Sequence, residues 1–402
     1  MTRTTQQQRP RTSSAPNVHG NKRVKMAGPL IGTHSGHFHA DEALAVYMLR
    51  LLPTYTSSPL VRTRDPEQLK TCHTVVDVGG VYDSSPEVNR YDHHQREFTT
   101  VFPGHATKLS SAGLVYMHFG RAVLAQVTSL PESSNDVDLL YQKIYDDFIE
   151  AFDANDNGIA AYDPGALRKA GIQRKFSDKG FSMASVVNRF NYGRSKDEVK
   201  NEQMSKEEQQ AAEDARFAQA SEFVGSQFVA EVTDKASAWL PARTVVKQAF
   251  ENRYQYDKHG RIMVLKQEGV PFTDHLYGFE AAASSAIGSH TPNMANGAVG
   301  ALIANEAAQS NTQAGSDGKV LYVLFPETTQ PDSKWRIRAV SIDAGSFENR
   351  KALPDAWKGL RDAELDRISG VDGCVFVHAS GFIGGNKTFE GALRMAQLAV
   401  DM

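Results

Sequence analysis

Four short stretches of the chain carry hard metal ligands at close spacing. Residues 32–42 hold His34, His37, His39, Asp41 and Glu42. Residues 75–80 hold Asp77, residues 90–95 the run Asp92-His93-His94, and residues 152–156 the pair Asp153 and Asp156. Each set follows an apolar run. Imidazole with carboxylate and no thiolate suits Mn, Fe, Co, Zn or Mg. The chain has only two cysteines, Cys72 and Cys374, so a cysteine zinc site is excluded. Asp77 lies between the first and last ligand groups and is the best placed to bridge two ions. Two such ions ~3.5–4 Å apart polarise a phosphoryl oxygen, lower the pKa of water and neutralise a leaving group. The chemistry is then phosphoester or phosphoanhydride hydrolysis. A single histidine after a strand is commonly structural, and a single aspartate there commonly caps a helix. Four such groups in order are not accounted for by capping.

The elements that must position these residues alternate in type. Residues 29–33, 60–63, 73–78 and 88–91 read as strands, the third rich in Val and buried on both faces. Residues 41–52, 111–126 and 136–152 read as helices, the first stopped by Pro53. That alternation predicts a parallel sheet with right-handed crossovers. Ligands of such sheets bind at the carboxyl ends of the strands. His34, Asp77 and Asp92-His93-His94 each follow a strand and so fall on that edge. His39 and Asp41 sit at the start of the first helix, whose N-terminus favours anions such as phosphate.

The remaining sequence bounds the class. At 402 residues with 23% charged side chains, the chain is long enough for two domains. No apolar run approaches the ~20 residues of a membrane span. The two cysteines are far apart in strand-like segments, which points to a reducing compartment. Residues 1–28 contain six basic residues and no acid, the composition of a mitochondrial transit peptide, a weak nuclear signal or a disordered basic tail. Without those six, 38 Lys and Arg face 47 Asp and Glu, so a nucleic-acid substrate needs a local basic patch or bound cations.

The order His34…His39-Ala40-Asp41, Asp77, Asp92-His93-His94 and Asp153 resembles the DHH phosphoesterase superfamily. Within it, residues 33–45, 91–96, 107–114 and 148–158 resemble the melanocyte-proliferating-gene protein family. The resemblance runs from about residue 30 to the C-terminus. It implies a DHH-type metal domain over 29–204, a helical connector over 205–260 and a smaller α/β substrate lobe over 261–402. It implies one ion held by His34, His39 and Asp77, and a second by Asp41, Asp77, His93 and Asp153. Mn²⁺ is expected in both places, with Mg²⁺, Co²⁺ or Zn²⁺ as alternatives. His94 is expected to face the substrate phosphate or position the attacking water, and Asp92 to orient the histidine pair. Many relatives carry Asp where this chain has His39, which makes this site one charge less negative. His37 reads as peripheral, and Glu42 as a charge at the helix N-terminus.

In the connector, Ser205 with Glu208 forms a capping box before a long helix. In the second lobe, residues 261–265, 320–325, 335–342 and 374–378 read as strands. Lys334, Arg336 and Arg338 share one strand face, either a solvated surface or a basic wall opposite the metals. His378–Thr388, with Gly384, Gly385 and Lys387, resembles the superfamily's glycine motif. There backbone N–H groups would meet a phosphate and Lys387 would add a charge; the alternative is a tight turn before a helix. Arg350 and Lys351 are further candidates for the cleft. Residues 279–319, rich in Ala, Ser, Asn and Gly, read as an insertion without assigned function. The function expected is a metal-dependent phosphodiesterase; the resemblance implies a 3′–5′ exonuclease acting on RNA, in mitochondria and nucleus. The rivals are a hydrolase of pyrophosphate or small phosphoesters and a metal-stabilised scaffold without catalysis.

Overall fold

The computed structural model describes residues 28–177, 179–193, 204–285 and 318–402. The basic N-terminal segment and most of the 279–319 insertion lie outside the described residues. Two five-stranded sheets organise the chain. The first contains β1 (Ile31–Thr33), β2 (Leu60–Arg62), β3 (Thr74–Val76), β4 (Tyr82–Asp83) and β5 (Arg90–Tyr91), in the order β2-β1-β3-β5-β4. β2, β1, β3 and β5 run parallel, as expected. β4 departs from the parallel pattern and pairs with β5 antiparallel. Two residues long, it gives no hydrophobic pattern to read.

The chain leaves β1 towards β2 on one side and returns to β3 on the other. β1 and β3 therefore flank the point where strand order reverses, which is where open α/β sheets bind ligands. Gly32 pairs with Val75, and Val76 with Tyr91. The residues just beyond, His34, Asp77 and Asp92, consequently leave the sheet side by side.

Helix α1 (Ala40–Leu51) is buried on nearly every face and forms the centre of this lobe. It is followed by α2 (Pro66–Thr71), α3 (Ser111–Thr128) and α4 (Asn135–Ile144). The single helix expected over 136–152 is interrupted by a π-helical turn, Tyr145–Ile149, before α5 (Glu150–Asp156). α6 (Pro164–Lys169) and α7 (Met183–Phe190) lead to α8 (Lys206–Asp234). Ser205 and Glu208 cap α8 reciprocally: Ser205 N–H donates to Glu208 Oε2 at 2.8 Å, and Glu208 N–H to Ser205 Oγ at 3.2 Å. α8 is more than a connector, since Phe217, Val224 and Phe228 enter the same core as α1. A side chain at Gly225 would drive its Cβ into the Tyr47 ring, so only glycine permits this approach of α8 to α1.

After α9 (Leu240–Glu251) and α10 (Thr273–Ser285), the second sheet holds β6 (Ile262–Val264), β7 (Tyr322–Pro326), β8 (Trp335–Ala339), β9 (Cys374–Val377) and β10 (Ile383–Asn386), in the order β6-β7-β8-β10-β9. Side chains alternate between its faces. Ile262, Val264, Tyr322 and Leu324 pack on α11 (Asp362–Ser369) and α12 (Phe389–Asp401) through Leu365, Met395 and Ala399. Met263 and Val323 join the first lobe's core with Leu276 and Phe279 of α10. No helix among the described residues is long and apolar enough to cross a membrane. Cys72 and Cys374 are buried free thiols.

Candidate metal centre

β1, β3 and β5 deliver their ligands to one edge. Asp77 adopts a left-handed backbone conformation, φ 58°, tolerated by a short polar side chain. It presents one oxygen to each neighbour: Oδ2 lies 3.4 Å from His34 Nε2 and Oδ1 3.2 Å from His93 Nε2. His34 Nε2 also lies 3.1 Å from Glu42 Oε1. Glu42 is fully buried and accepts the His39 N–H at 2.8 Å, so it caps α1 and faces the cluster at once. The expectation of a mere helix-end charge misses the second role.

Three groups of side chains bring ligand atoms within 4.8 Å of one another: His34, His39, Glu42 and Asp77; Asp77, His93 and His94; and His39, Asp41 and Asp156. Asp77 and His39 are each common to two groups. Asp156 Oδ2 lies 3.0 Å from His93 Nε2. The structure thus gathers His34, His39, Asp41, Asp77 and His93, and adds Glu42 and Asp156.

Asp153, the residue the resemblance nominates, is not among them. Its carboxylate is buried against the N-terminus of α3. Oδ1 accepts the Ser110 N–H (2.8 Å), the Ser110 hydroxyl (2.7 Å) and the Gly113 N–H (3.1 Å), and Oδ2 accepts the Tyr145 hydroxyl (2.8 Å). Oδ1 is spent on the start of α3 and Oδ2 on Tyr145 of the π-helical turn. A Cβ at Gly113 would collide with this carboxylate. In the structure the carboxylate beside His93 is that of Asp156, three residues on along α5.

Asp92 organises the histidine pair. Its Oδ1 accepts the backbone N–H of His93 (2.8 Å) and of His94 (3.2 Å) and the His94 imidazole Nδ1 (2.7 Å); Oδ2 accepts the Gly80 N–H (2.6 Å). His94 is thereby held with a side chain 61% exposed, beside the cluster and open to a substrate. The bond to Asp92 raises its pKa above the ordinary value.

The loop between β1 and α1 is gripped from outside. Arg62 on β2 donates to Gly36 O at 2.7 Å and pairs with Glu213 of α8 at 2.8 Å. Glu213 in turn accepts the Gly36 N–H at 2.6 Å. Asn191 reads Phe38 like a partner strand, accepting its N–H (3.0 Å) and donating to its carbonyl (2.8 Å). His37 lies outside the three groups and bonds Asn188 at 2.8 Å.

Charge at the cluster is unbalanced. Burial, then the charges of Asp77, Asp156 and Glu42, push Asp41 well above the usual carboxylate range. Burial opposes protonation of His34, but Asp77 and Glu42 outweigh it and raise the imidazole to about 10. Asp41 Oδ1 and Glu42 Oε2 are buried without a hydrogen-bond partner among the described residues. Buried acceptors of this kind are costly unless a cation satisfies them. The donor set, four imidazoles and four carboxylates at one edge, suits a divalent cation.

The second lobe gives a different result from its expectation. Gly384 and Gly385 are not in a phosphate loop. They lie in β10, paired with β8 on one side and β9 on the other, which occupies the backbone in ladders. Their lack of a side chain is a packing requirement: Cβ atoms there would fall 2.9 Å from Leu353 Cδ1 and 2.8 Å from Arg336 Nη1. Arg336 is tied to Glu327 at 2.6 Å, and Arg338 is exposed above the Phe272 ring. Lys387 lines a cavity of about 760 Å³ with Lys266 and Trp335. Arg350 is locked in a buried pair with Glu280 at 2.7 Å, and Lys351 donates to Val400 O. Neither is free for a cleft.

Comparison with known proteins agrees in one direction. The family model MYG1_exonuc, described as "Uncharacterised protein family (UPF0160)", matches residues 30–291 and 300–400. The chain is 40% identical over 378 residues to the MYG1 exonuclease of Mus musculus, covering 92% of this chain and 85% of that one. It is 39% identical over 379 residues to the MYG1 protein C27H6.8 of Caenorhabditis elegans, covering 93% and 95%. Among solved structures, RecJ of Thermus thermophilus in complex with Mn²⁺ overlaps 93% of this chain and 52% of its own, at 15% identity and a TM-score of 0.23. On the family match and the relatives' identity across nearly the whole length, the chain belongs to the MYG1 family.

Proposed function

We propose that the protein is a metal-dependent phosphodiesterase that removes nucleotides from the 3′ end of single-stranded RNA, with two Mn²⁺ ions as its cofactor. The observation that carries the reading is the pair of buried, unpartnered acceptors, Asp41 Oδ1 and Glu42 Oε2, in a cluster with Asp77 beside an exposed histidine. The exonuclease names of relatives about 40% identical support a nucleic-acid substrate.

His34, His39, Glu42 and Asp77 would hold one ion; Asp41, Asp77, His93 and Asp156 would hold the other, with Asp77 between them. When bound, divalent cations polarise a phosphoryl oxygen and lower the pKa of water. The chain's own residues do the rest. Asp92 fixes the His94 ring through Nδ1, which leaves Nε2 to donate to a phosphate oxygen. Attack forms a P–O bond, breaks the bond to the leaving 3′ oxygen and returns a proton to that oxygen. We place the protein in mitochondria and nucleus on its acid-free N-terminal composition, to be checked by imaging a C-terminally tagged chain; exclusion from both compartments would refute that placement.

The test of activity is incubation with Mn²⁺ and single-stranded RNA labelled at either end, alongside His94→Ala. A 5′-labelled ladder and immediate release of a 3′ label, lost in the variant, are expected. RNA left intact by wild type sinks the exonuclease reading.

A further inference from the structure

We infer that residues 158–193 form an arm along which single-stranded nucleic acid lies while its end occupies the metal centre. The inference rests on the nuclease reading and adds a surface to it. The arm begins two residues after Asp156. It ends near Tyr192, whose ring lies 5.8 Å from that of His37, where Asn188 and Asn191 of the arm bond His37 and Phe38 of the β1–α1 loop. One end is therefore at the cluster and the other on the loop that carries His34 and His39.

Between those ends the arm exposes what a folded chain usually hides. Phe181 is 93% exposed, Phe176 75%, Tyr162 74% and Tyr192 70%. These are four of the six exposed large aromatic side chains among the described residues, gathered in a small part of the chain. Single exposed apolar residues mean little, but a concentration of them marks a binding surface. The arm is nonetheless anchored. Val187 of α7 is fully buried, and Phe190 packs on Phe223 of α8 with ring centroids 6.0 Å apart.

Charge selects the occupant. The stretch contains Arg168, Lys169, Arg174, Lys175, Lys179 and Arg189 against two acids, Asp163 and Asp178, in a chain of net charge −3. Basic residues stand directly beside the aromatics, as in Arg174-Lys175-Phe176 and Lys179-Gly180-Phe181. Interfaces between proteins are depleted of lysine at their apolar centres. A single strand needs both features together: aromatic faces for its bases and cations for its phosphates. A second copy of this chain, the main rival, gives no reason for the arm to meet the β1–α1 loop that carries His37 and His39.

The test uses the full chain in EDTA, so that no cleavage competes, and fluorescence anisotropy with single-stranded RNA of 3 and 15 nucleotides. Phe176→Ala with Phe181→Ala is expected to weaken 15-mer binding by at least ~20-fold and to lower the 15-mer to 3-mer affinity ratio. Lys175→Gln with Lys179→Gln is expected to reduce the slope of log K against log[salt] by about 1.4, since each single-strand phosphate contact is worth about 0.7. All four side chains are exposed, and thermal melts check that the variants fold. Affinity and salt slope unchanged in both variants would overturn the arm. So would the loss of a wild-type dimer on sedimentation without loss of RNA affinity. Wild type that binds the 15-mer yet cleaves nothing with Mn²⁺ would remove the nuclease reading while upholding the arm. Wild type that degrades RNA as fast as arm variants binding it equally well would remove the arm alone.

Discussion

At the scale of single residues, the informative contrast is between Asp153 and Asp156. Both are on α5, and a spacing of three puts them on adjoining parts of one helical face. One turns to four donors around the start of α3, the other to His93. Asp156→Asn is therefore expected to lower bound Mn²⁺ by at least tenfold with little loss of stability. Asp153→Ala should leave buried donors unpaired and cost about 2–4 kcal/mol in urea unfolding, while the folded fraction keeps its metal. Metal analysis on gel-filtered protein separates the two; equal metal loss in both variants would contradict the assignment. Gly113→Ala is expected to cost about 1–3 kcal/mol, because its Cβ would collide with the Asp153 carboxylate. His34, Asp77 and Asp92-His93-His94 were legible in the sequence because each directly follows a strand, and a strand end fixes direction. Which of Asp153 and Asp156 serves was not legible, since helical spacing allows either and the π turn that sets their rotation leaves no pattern. Glu42 was misread for a related reason: its capping role is visible in sequence, its approach to His34 only in space.

At the scale of elements, four strands of the first sheet could be read from short apolar runs, but β4 and β10 could not. The Ile383-Gly384-Gly385-Asn386 of β10 has the composition of a turn, and only close contact with Leu353 and Arg336 explains glycine within a sheet. The loop before α3 shows another feature hidden from sequence. His105 is clamped between Asp146 (3.0 Å) on the π turn and Glu150 (3.2 Å) on α5, and Thr107 donates to Glu150 at 2.6 Å. Burial lowers the His105 pKa, but the two carboxylates outweigh it and raise it from 6.5 to about 9. A folded value above the unfolded one means stability that is complete below about pH 6.5 and lost as pH rises through about 9. Glu150 is held below its ordinary value, first by His105, so its share is present above that value and lost as pH falls through the lowered one. Urea unfolding of wild type and His105→Gln should differ by on the order of 2 kcal/mol near pH 6, and the gap should close towards pH 10. A gap constant up to pH 10 would show that the clamp is not ionic.

At the scale of the molecule, the two sheets are not independent bodies. Met263, Val323 and Val340 of the second lobe share one buried cluster with Leu44, Val76 and Tyr116 of the first. The seam also carries charge: Lys143 of α4, almost fully buried, reaches Asp147 on the π turn (3.0 Å) and Asp274 of α10 (2.7 Å). Beside it the Trp239 and His275 rings stack at 4.6 Å, and His275 Nε2 donates to Trp239 O at 2.8 Å. Burial holds this imidazole down to about 4, so it stays neutral in the seam. An apolar seam of this kind couples the lobes, because opening it exposes both cores to water. Calorimetry is therefore expected to give one cooperative transition, with equal calorimetric and van't Hoff enthalpies. Lys143→Ala strips a buried cation from two carboxylates. The carboxylates are partly exposed, so the cost falls below the ~3–5 kcal/mol of a fully buried pair, to about 2 kcal/mol. The whole transition should move down in temperature without splitting. Two separate peaks in wild type, or a shift confined to one peak in the variant, would mean that the lobes fold alone. The ligand edge, built entirely within the first lobe, would then have to stand without the second.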